Sequence, residues 1–122
     1  MNNNILIVED SQTMRSFISS AIEGCESCEV YESATGFEAL KLLPQINFKL
    51  IITDINMPDI NGLELISFVR KNQQYKNIPL VIISTEGTEM DRQKGMALGA
   101  NEYLVKPFKP EELQKIVKKY IG

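Results

Sequence analysis

A single-domain α/β fold, (βα)5 and doubly wound about an open parallel sheet, is what this 122-residue chain predicts. Two observations carry the expectation. Short apolar runs of strand length alternate with stretches whose apolar residues recur at helical spacing, five times over. The strongest runs are apolar at consecutive positions, as strands covered on both faces require. Length agrees, since a chain of this size forms one domain of the common class of roughly 100–150 residues. Residues 1–122 are therefore read as one domain.

Each element follows from local chemistry. Ile5 to Val8 is a buried strand, and Met14, Phe17, Ile18, Ala21 and Ile22 form the stripe of a first helix, capped by Asp10 or Ser11 and ended by Gly24. Glu29 to Ser33 reads weakly as a second strand. Thr35 and Glu38 have the spacing of a capping box, opening a helix through Phe37, Leu40 and Leu43 that Pro44 stops. Leu50 to Ile52 is the third strand, running into Thr53 and Asp54, and a loop with Pro58 and Gly62 leads to the helix of Leu63, Ile66 and Val69. Leu80 to Ile83 is the fourth strand, followed by Ser84 and Thr85. Thr88 caps a weakly amphipathic helix from Met90 to Leu98 that Gly99 closes. Tyr103 to Val105 is the last strand. Pro110 sits in the first turn of a final helix whose Leu113, Ile116, Val117 and Tyr120 face inward.

Composition removes several functions. Lys and Arg number 13 against 16 Asp and Glu, a formal charge of −3, which argues against nucleic acid or an anionic membrane surface as the main partner. No apolar run is long enough to insert in a bilayer, and no leader is evident, so a cytoplasmic protein is expected. Histidine is absent, which removes imidazole acid/base chemistry, serine triads and imidazole metal sites. Cys25 and Cys28 make a single C-x-x-C, too few ligands for structural zinc. Lying after a helix and not before one, they are expected to be two reduced thiols.

In a parallel sheet of this kind, function gathers at the carboxyl ends of the strands. Here those ends carry Glu9 and Asp10, Asp54, Ser84 and Thr85, and Lys106 with Pro107. Helix capping accounts for Asp10 or Ser11. It does not account for Asp54, whose next helix starts about eight residues on, nor for Glu9 beside Asp10. Three close carboxylates repel unless a cation lies among them, and oxygen ligands alone select a hard ion such as Mg2+. A carboxylate beside Mg2+ is a nucleophile toward phosphorus, while a lysine and a hydroxyl neutralise and bind phosphoryl oxygens. The donor must be external, because the chain has no phosphate-binding G-x-x-x-x-G-K-[ST] loop and no kinase motif set.

Glu9-Asp10, the run Asp54-Ile-Asn-Met-Pro-Asp-Ile-Asn-Gly62, Ser84, Tyr103 and Lys106-Pro107-Phe108 together resemble the response-regulator receiver domains of two-component systems. The resemblance is strongest to their stand-alone, CheY-like chemotaxis type, and spans Asn4 to Tyr120. It implies a flavodoxin-like fold with strand order 2-1-3-4-5. It further implies that Asp54 is the phosphoacceptor and that Mg2+ is bound by Asp10 and Asp54 directly, by the Asn56 backbone carbonyl, and by Glu9 through water. Lys106 would contact Asp54 and the phosphoryl oxygens, with a cis bond to Pro107. Ser84 would hydrogen-bond the phosphoryl group and Tyr103 would turn inward, altering the face made by the fourth helix, fifth strand and fifth helix. Asn56 and Glu86 would tune the lifetime of the acyl phosphate. Thr85 stands where many receivers carry Ala or Gly, a bulkier residue at the phosphoryl entrance.

The expected function is a phosphorelay switch. A histidine kinase is the expected donor, and with no DNA-binding domain after Gly122, output is expected to run through protein contacts or onward phosphoryl transfer, with chemotaxis as one pathway. Autophosphorylation from a small donor and slow self-dephosphorylation are expected, but not turnover of an enzyme substrate. Two alternatives fit the residues less well. An aspartate-nucleophile phosphatase of the haloacid-dehalogenase type wants D-x-D, whereas Asp54-Ile55-Asn56 ends in an amide. A pseudo-receiver acting without phosphorylation does not require the full set of acids, hydroxyl and lysine.

Overall fold

Five strands, β1 (Asn3–Val8), β2 (Cys28–Ser33), β3 (Phe48–Asp54), β4 (Leu80–Ser84) and β5 (Glu102–Val105), join in the order β2-β1-β3-β4-β5. All four pairings are parallel. The helices between and after them are α1 (Gln12–Ala21), α2 (Gly36–Leu42), α3 (Gly62–Lys71), α4 (Glu89–Leu98) and α5 (Pro110–Ile121). The computed structural model describes residues 3–25, 27–57, 59–85 and 89–121. The cap expected of Thr88 lies outside them. Among the described residues, no helix is long and apolar enough to cross a membrane.

The consecutive apolar positions are explained by two cores, one on each face of the sheet. Alternate residues of a strand point to opposite faces, so Ile5, Ile7, Leu50, Ile52, Val81 and Ile83 pack with Ile18 and Ile22 of the first helical segment and with Leu113 and Val117 of α5. Leu6, Val8, Ile51, Leu80 and Ile82 turn the other way, onto Ala39, Leu43, Leu65, Ile66 and Val69. Each fully buried Ile or Leu contributes about 1.5–3 kcal/mol over an exposed one, so the two cores are the main source of the sheet's stability.

Caps set where the helices begin. Ser11 caps α1 by accepting from the Met14 N–H at 3.3 Å. Thr35 accepts from the Glu38 N–H at 3.1 Å, but the Glu38 carboxylate reaches past it to the Ala34 N–H at 3.0 Å, so the expected reciprocal box is only half made. A complete box stands elsewhere, between Asn61 and Glu64 at the start of α3. Pro110 opens α5.

Phe37 lies in the second helix as expected and is 58% exposed, the buried residues of that short helix being Gly36 and Ala39. One expectation is corrected: Cys25 and Cys28, read as reduced thiols, form a disulfide. The Cys28 N–H donates to the Cys25 carbonyl at 3.1 Å. That turn brings the two Cα atoms to 5.3 Å, within bridging range.

The fourth helix is the least buried. Gly95 is its buried residue, seated where a Cβ would collide with Ile82 Cδ1, while Met90 is 66% exposed. Its carboxyl end is tethered by Arg70, which donates to the carbonyls of Gly99 at 2.9 Å, Lys76 at 3.0 Å and Ile78 at 2.8 Å, and to Asn101 Oδ1 at 2.9 Å.

Beside it, the edge strand β5 is pinned to α5. Glu102 Oε2 accepts from Tyr120 Oη at 2.5 Å and Lys119 Nζ at 2.9 Å. These two hydrogen bonds, Tyr120 first, hold the Glu102 carboxyl below its ordinary value. A lowered folded value means stabilisation that is complete above the unfolded pKa and is lost as pH falls through the folded one. Glu102→Gln should therefore cost roughly 0.5–1 kcal/mol at neutral pH, the range for a partly exposed hydrogen-bonded ion pair. Thermal melts of the two proteins should converge as pH falls through the acidic carboxylate range.

Candidate functional site

Four strand ends supply one rim. β1 passes directly into Glu9, whose N–H still pairs with the Ser33 carbonyl at 3.0 Å, and then into Asp10. Asp54 is the last residue of β3 and Ser84 the last of β4. Lys106 follows β5, with its N–H on the Ser84 carbonyl at 2.8 Å. Parallel register puts these residues level with one another, since Val8 pairs with Thr53, Asp54 with Ile83, and Ser84 with Val105.

One carboxylate oxygen from each of Glu9, Asp10 and Asp54 lies within 4.8 Å of the others. Glu9 is 1% and Asp54 8% exposed, while Asp10 opens to solvent. At that spacing two carboxylates repel by roughly 3–4 kcal/mol at an effective dielectric near 20. Lys106 provides partial relief. Its Nζ lies 2.7 Å from Glu9 Oε1 and 3.4 Å from Asp54 Oδ2. Burial still pushes the Glu9 carboxyl above its ordinary value, against the lowering effect of Lys106 and the Ser11 N–H, with the nearby Asp54 charge pushing the same way as burial. Three carboxylates and one ammonium leave two formal negative charges, which a divalent cation would neutralise. The donor set is oxygen throughout, and suits a hard ion such as Mg2+.

Ser84 and Thr85 follow one another at the end of β4, Asn56 lies two residues beyond Asp54, and Tyr103 pairs with Ile82 within the sheet. Ser84 is buried, Asn56 and Thr85 are exposed, and Tyr103 is half-buried against the second core. The Lys106–Pro107 peptide is cis. Glu86 lies outside the described residues.

Several contacts were not visible in the sequence. The shorter partner of Lys106 is Glu9, not Asp54. Glu9 is held on both sides, its Oε2 accepting from the Ser11 N–H at 3.1 Å and its carbonyl from Arg15 Nη1 at 2.9 Å. Asp54 Oδ1 accepts from the Ile55 N–H at 2.8 Å, leaving Oδ2 toward Lys106. Arg15 lies one turn into α1, at the spacing that returns a side chain over the strand end, and this was the one available signal.

Known proteins with the same arrangement are numerous. The model of the response regulator receiver domain matches residues 5–118. The chain is 37% identical over 119 residues to a chemotaxis protein CheY homolog of Campylobacter jejuni, covering 97% of this chain and 92% of that one. It is 38% identical over 119 residues to chemotaxis protein CheY1 of Helicobacter pylori, covering 97% and 96%. Among solved structures, the chemotaxis protein CheY4 of Vibrio cholerae superposes with a TM-score of 0.90 at 37% identity, over 98% of this chain and 99% of that one. With its fold, strand order and acidic rim in agreement, the chain belongs to the response regulator receiver domain family, and is a phosphorelay switch domain of the CheY-like kind.

Proposed function

We propose that Asp54 accepts a phosphoryl group from a histidine kinase, with Mg2+ held at the rim by the Asp10 and Asp54 carboxylates, the Asn56 carbonyl and, through water, Glu9. The observation that carries this reading is the environment of Asp54. It is a nearly buried carboxylate, within 4.8 Å of two others and 3.4 Å from an ammonium, at the carboxyl end of a central strand. Mg2+, when bound, neutralises charge on the phosphoryl oxygens. An Asp54 oxygen forms the new O–P bond as the P–N bond of the donor phosphohistidine breaks, and the imidazole leaves with that electron pair. Lys106, already between Glu9 and Asp54, pairs with a phosphoryl oxygen. Glu9 has both oxygens engaged by donors, which favours an indirect metal contact for it.

Ser84 ends the strand beside Asp54 and donates its hydroxyl to the phosphoryl group. Tyr103, on the neighbouring strand, then turns further inward, and the face of α4, β5 and α5 changes shape for a protein target. That face already exposes Met90, Met96, Leu98 and Val105, an apolar set suited to a protein partner. Receiver domains are signalling switches and are not classed as enzymes. The acyl phosphate is lost when water attacks in line, and Asn56 and Glu86 flank that line.

Acetyl phosphate with Mg2+ should add one phosphoryl group by intact mass, and Asp54→Asn or EDTA should suppress it. Labelling unchanged in Asp54→Asn would sink the assignment. Relief of repulsion predicts that Asp10→Asn melts a few degrees above the wild type in EDTA. Mg2+ at ten times its Kd should stabilise the wild type by about 1.4 kcal/mol and leave this variant unmoved. After donor removal, the label should decay more slowly in Asn56→Arg and Glu86→Leu. Equal rates in all three proteins would mean these side chains do not set the lifetime.

A further inference from the structure

The loop from Ile55 to Asn61 is fastened at its root and along its outer part. At the root, the Gly62 N–H donates to the Ile55 carbonyl at 2.8 Å. Gly62 lies so close to Asp54 that a Cβ there would collide with the Asp54 carbonyl oxygen. Further out, Asp59 leaves its own neighbourhood and binds a different helix. Its Oδ1 accepts from the Gly36 N–H at 3.1 Å and its Oδ2 from the Phe37 N–H at 2.9 Å. Ile60 lies against the same place, since a Cβ on Gly36 would come within 2.8 Å of Ile60 Cβ and 3.0 Å of its carbonyl oxygen. Gly36 is thus the residue that lets the loop approach. Thr35 already serves the Glu38 N–H, so the helix has a cap of its own, and the long-range contact does something a local cap cannot.

Loss of hydration pushes the Asp59 carboxyl up, and the N–H groups of Phe37, Ile60, Gly36 and Asp59 itself outweigh that and hold it below its ordinary value. It is a carboxylate at neutral pH. Between the two fastenings sits Asn56, whose carbonyl faces the duty of a metal ligand under the reading above.

We propose that Asp59 is a positioning residue for the phosphoacceptor site, tying the loop to α2 so that the Asn56 carbonyl is held ready and the Mg2+ affinity of the rim is raised. The proposal rests on the reading that this rim holds Mg2+. Without the tie, residues 55–59 must be ordered when the ion binds, and that conformational entropy is subtracted from affinity. Groups that orient metal ligands from outside typically change affinity by roughly 10–100-fold. One ligand among several is involved here, so the lower end applies.

The test is Mg2+ titration of the full chain by calorimetry, with melting in EDTA as the companion measurement. Asp59→Ala should raise Kd about tenfold. Asp59→Asn, which keeps one accepting oxygen, should fall between it and the wild type. Thr35→Ala removes a cap of the same helix without touching the loop, and should lower the melting temperature while leaving Kd unchanged. In acetyl phosphate labelling, the Mg2+ concentration for half-maximal rate should rise by the same factor in Asp59→Ala, with the saturating rate retained. If Asp59→Ala melts lower but keeps the wild-type Kd, Asp59 is a helix cap alone and the proposal is overturned. Should Asp59→Ala not fold, Asp59→Asn decides, a weakened Kd supporting the proposal and a wild-type Kd overturning it. A wild type that binds no Mg2+, or Asp10→Asn binding as tightly as the wild type, overturns the rim reading itself and is seen separately from any effect of Asp59.

Discussion

Three carboxylates share the carboxyl edge of a parallel sheet with one ammonium, and the arrangement around them follows from that imbalance. Glu9 and Asp54 are buried by the sheet that carries them, so their charges are poorly screened and each must be met by a donor. Lys106 meets both, and it arrives only because β5 pairs beside β4 and its first residue beyond the strand remains tied to the Ser84 carbonyl. The Ser11 and Ile55 N–H groups meet the remaining oxygens. What is left over is two formal negative charges on a rim that opens to solvent at Asp10. Under the proposed reading stability and function pull against each other here, since a change that quiets the repulsion also removes a proposed ligand.

How much of this was legible in the sequence depended on range. Asp54 stood out because a local role was ruled out by counting, with no helix near enough for it to cap. The five apolar runs announced their strands because a doubly covered sheet forces apolar residues onto both parities, as Leu6 and Ile7 show by entering different cores. Helix starts were legible where a side chain serves its own neighbours, as Ser11 does. Contacts between distant segments were not. Nothing in the spacing of Asp59 and Gly36 says that one caps the other, and Lys106 gave no sign of preferring Glu9 to Asp54. The cysteine pair misled because the expectation drew on cellular redox conditions and the outcome was decided by a turn. The roles proposed for Ser84, Tyr103 and Asn56 rest on resemblance, since nothing in their positions along the chain names a ligand for them.

The two faces of the sheet are not built alike. α1 and α5 bury large aliphatic residues across β1, β3 and β4, and α5 is further bound to β5 through Glu102 and Tyr120. On the other face α3 is well seated by Leu65, Ile66 and Val69, while α4 contributes a glycine. Elements with little buried apolar surface are the cheapest to displace. The helix next to the Ser84 strand end is therefore the one whose position the rim can influence at least expense.

Arg70 gives that displacement a direction. By holding Gly99 and Asn101 it makes the carboxyl end of α4 a fulcrum. Ten residues of helix form a lever arm of about 15 Å. A tilt of about 10° around that end moves Glu89 by roughly 2.6 Å and Leu98 by almost nothing. Any tilt of this helix would thus be graded along its length, greatest at Glu89 and smallest at the end the arginine holds.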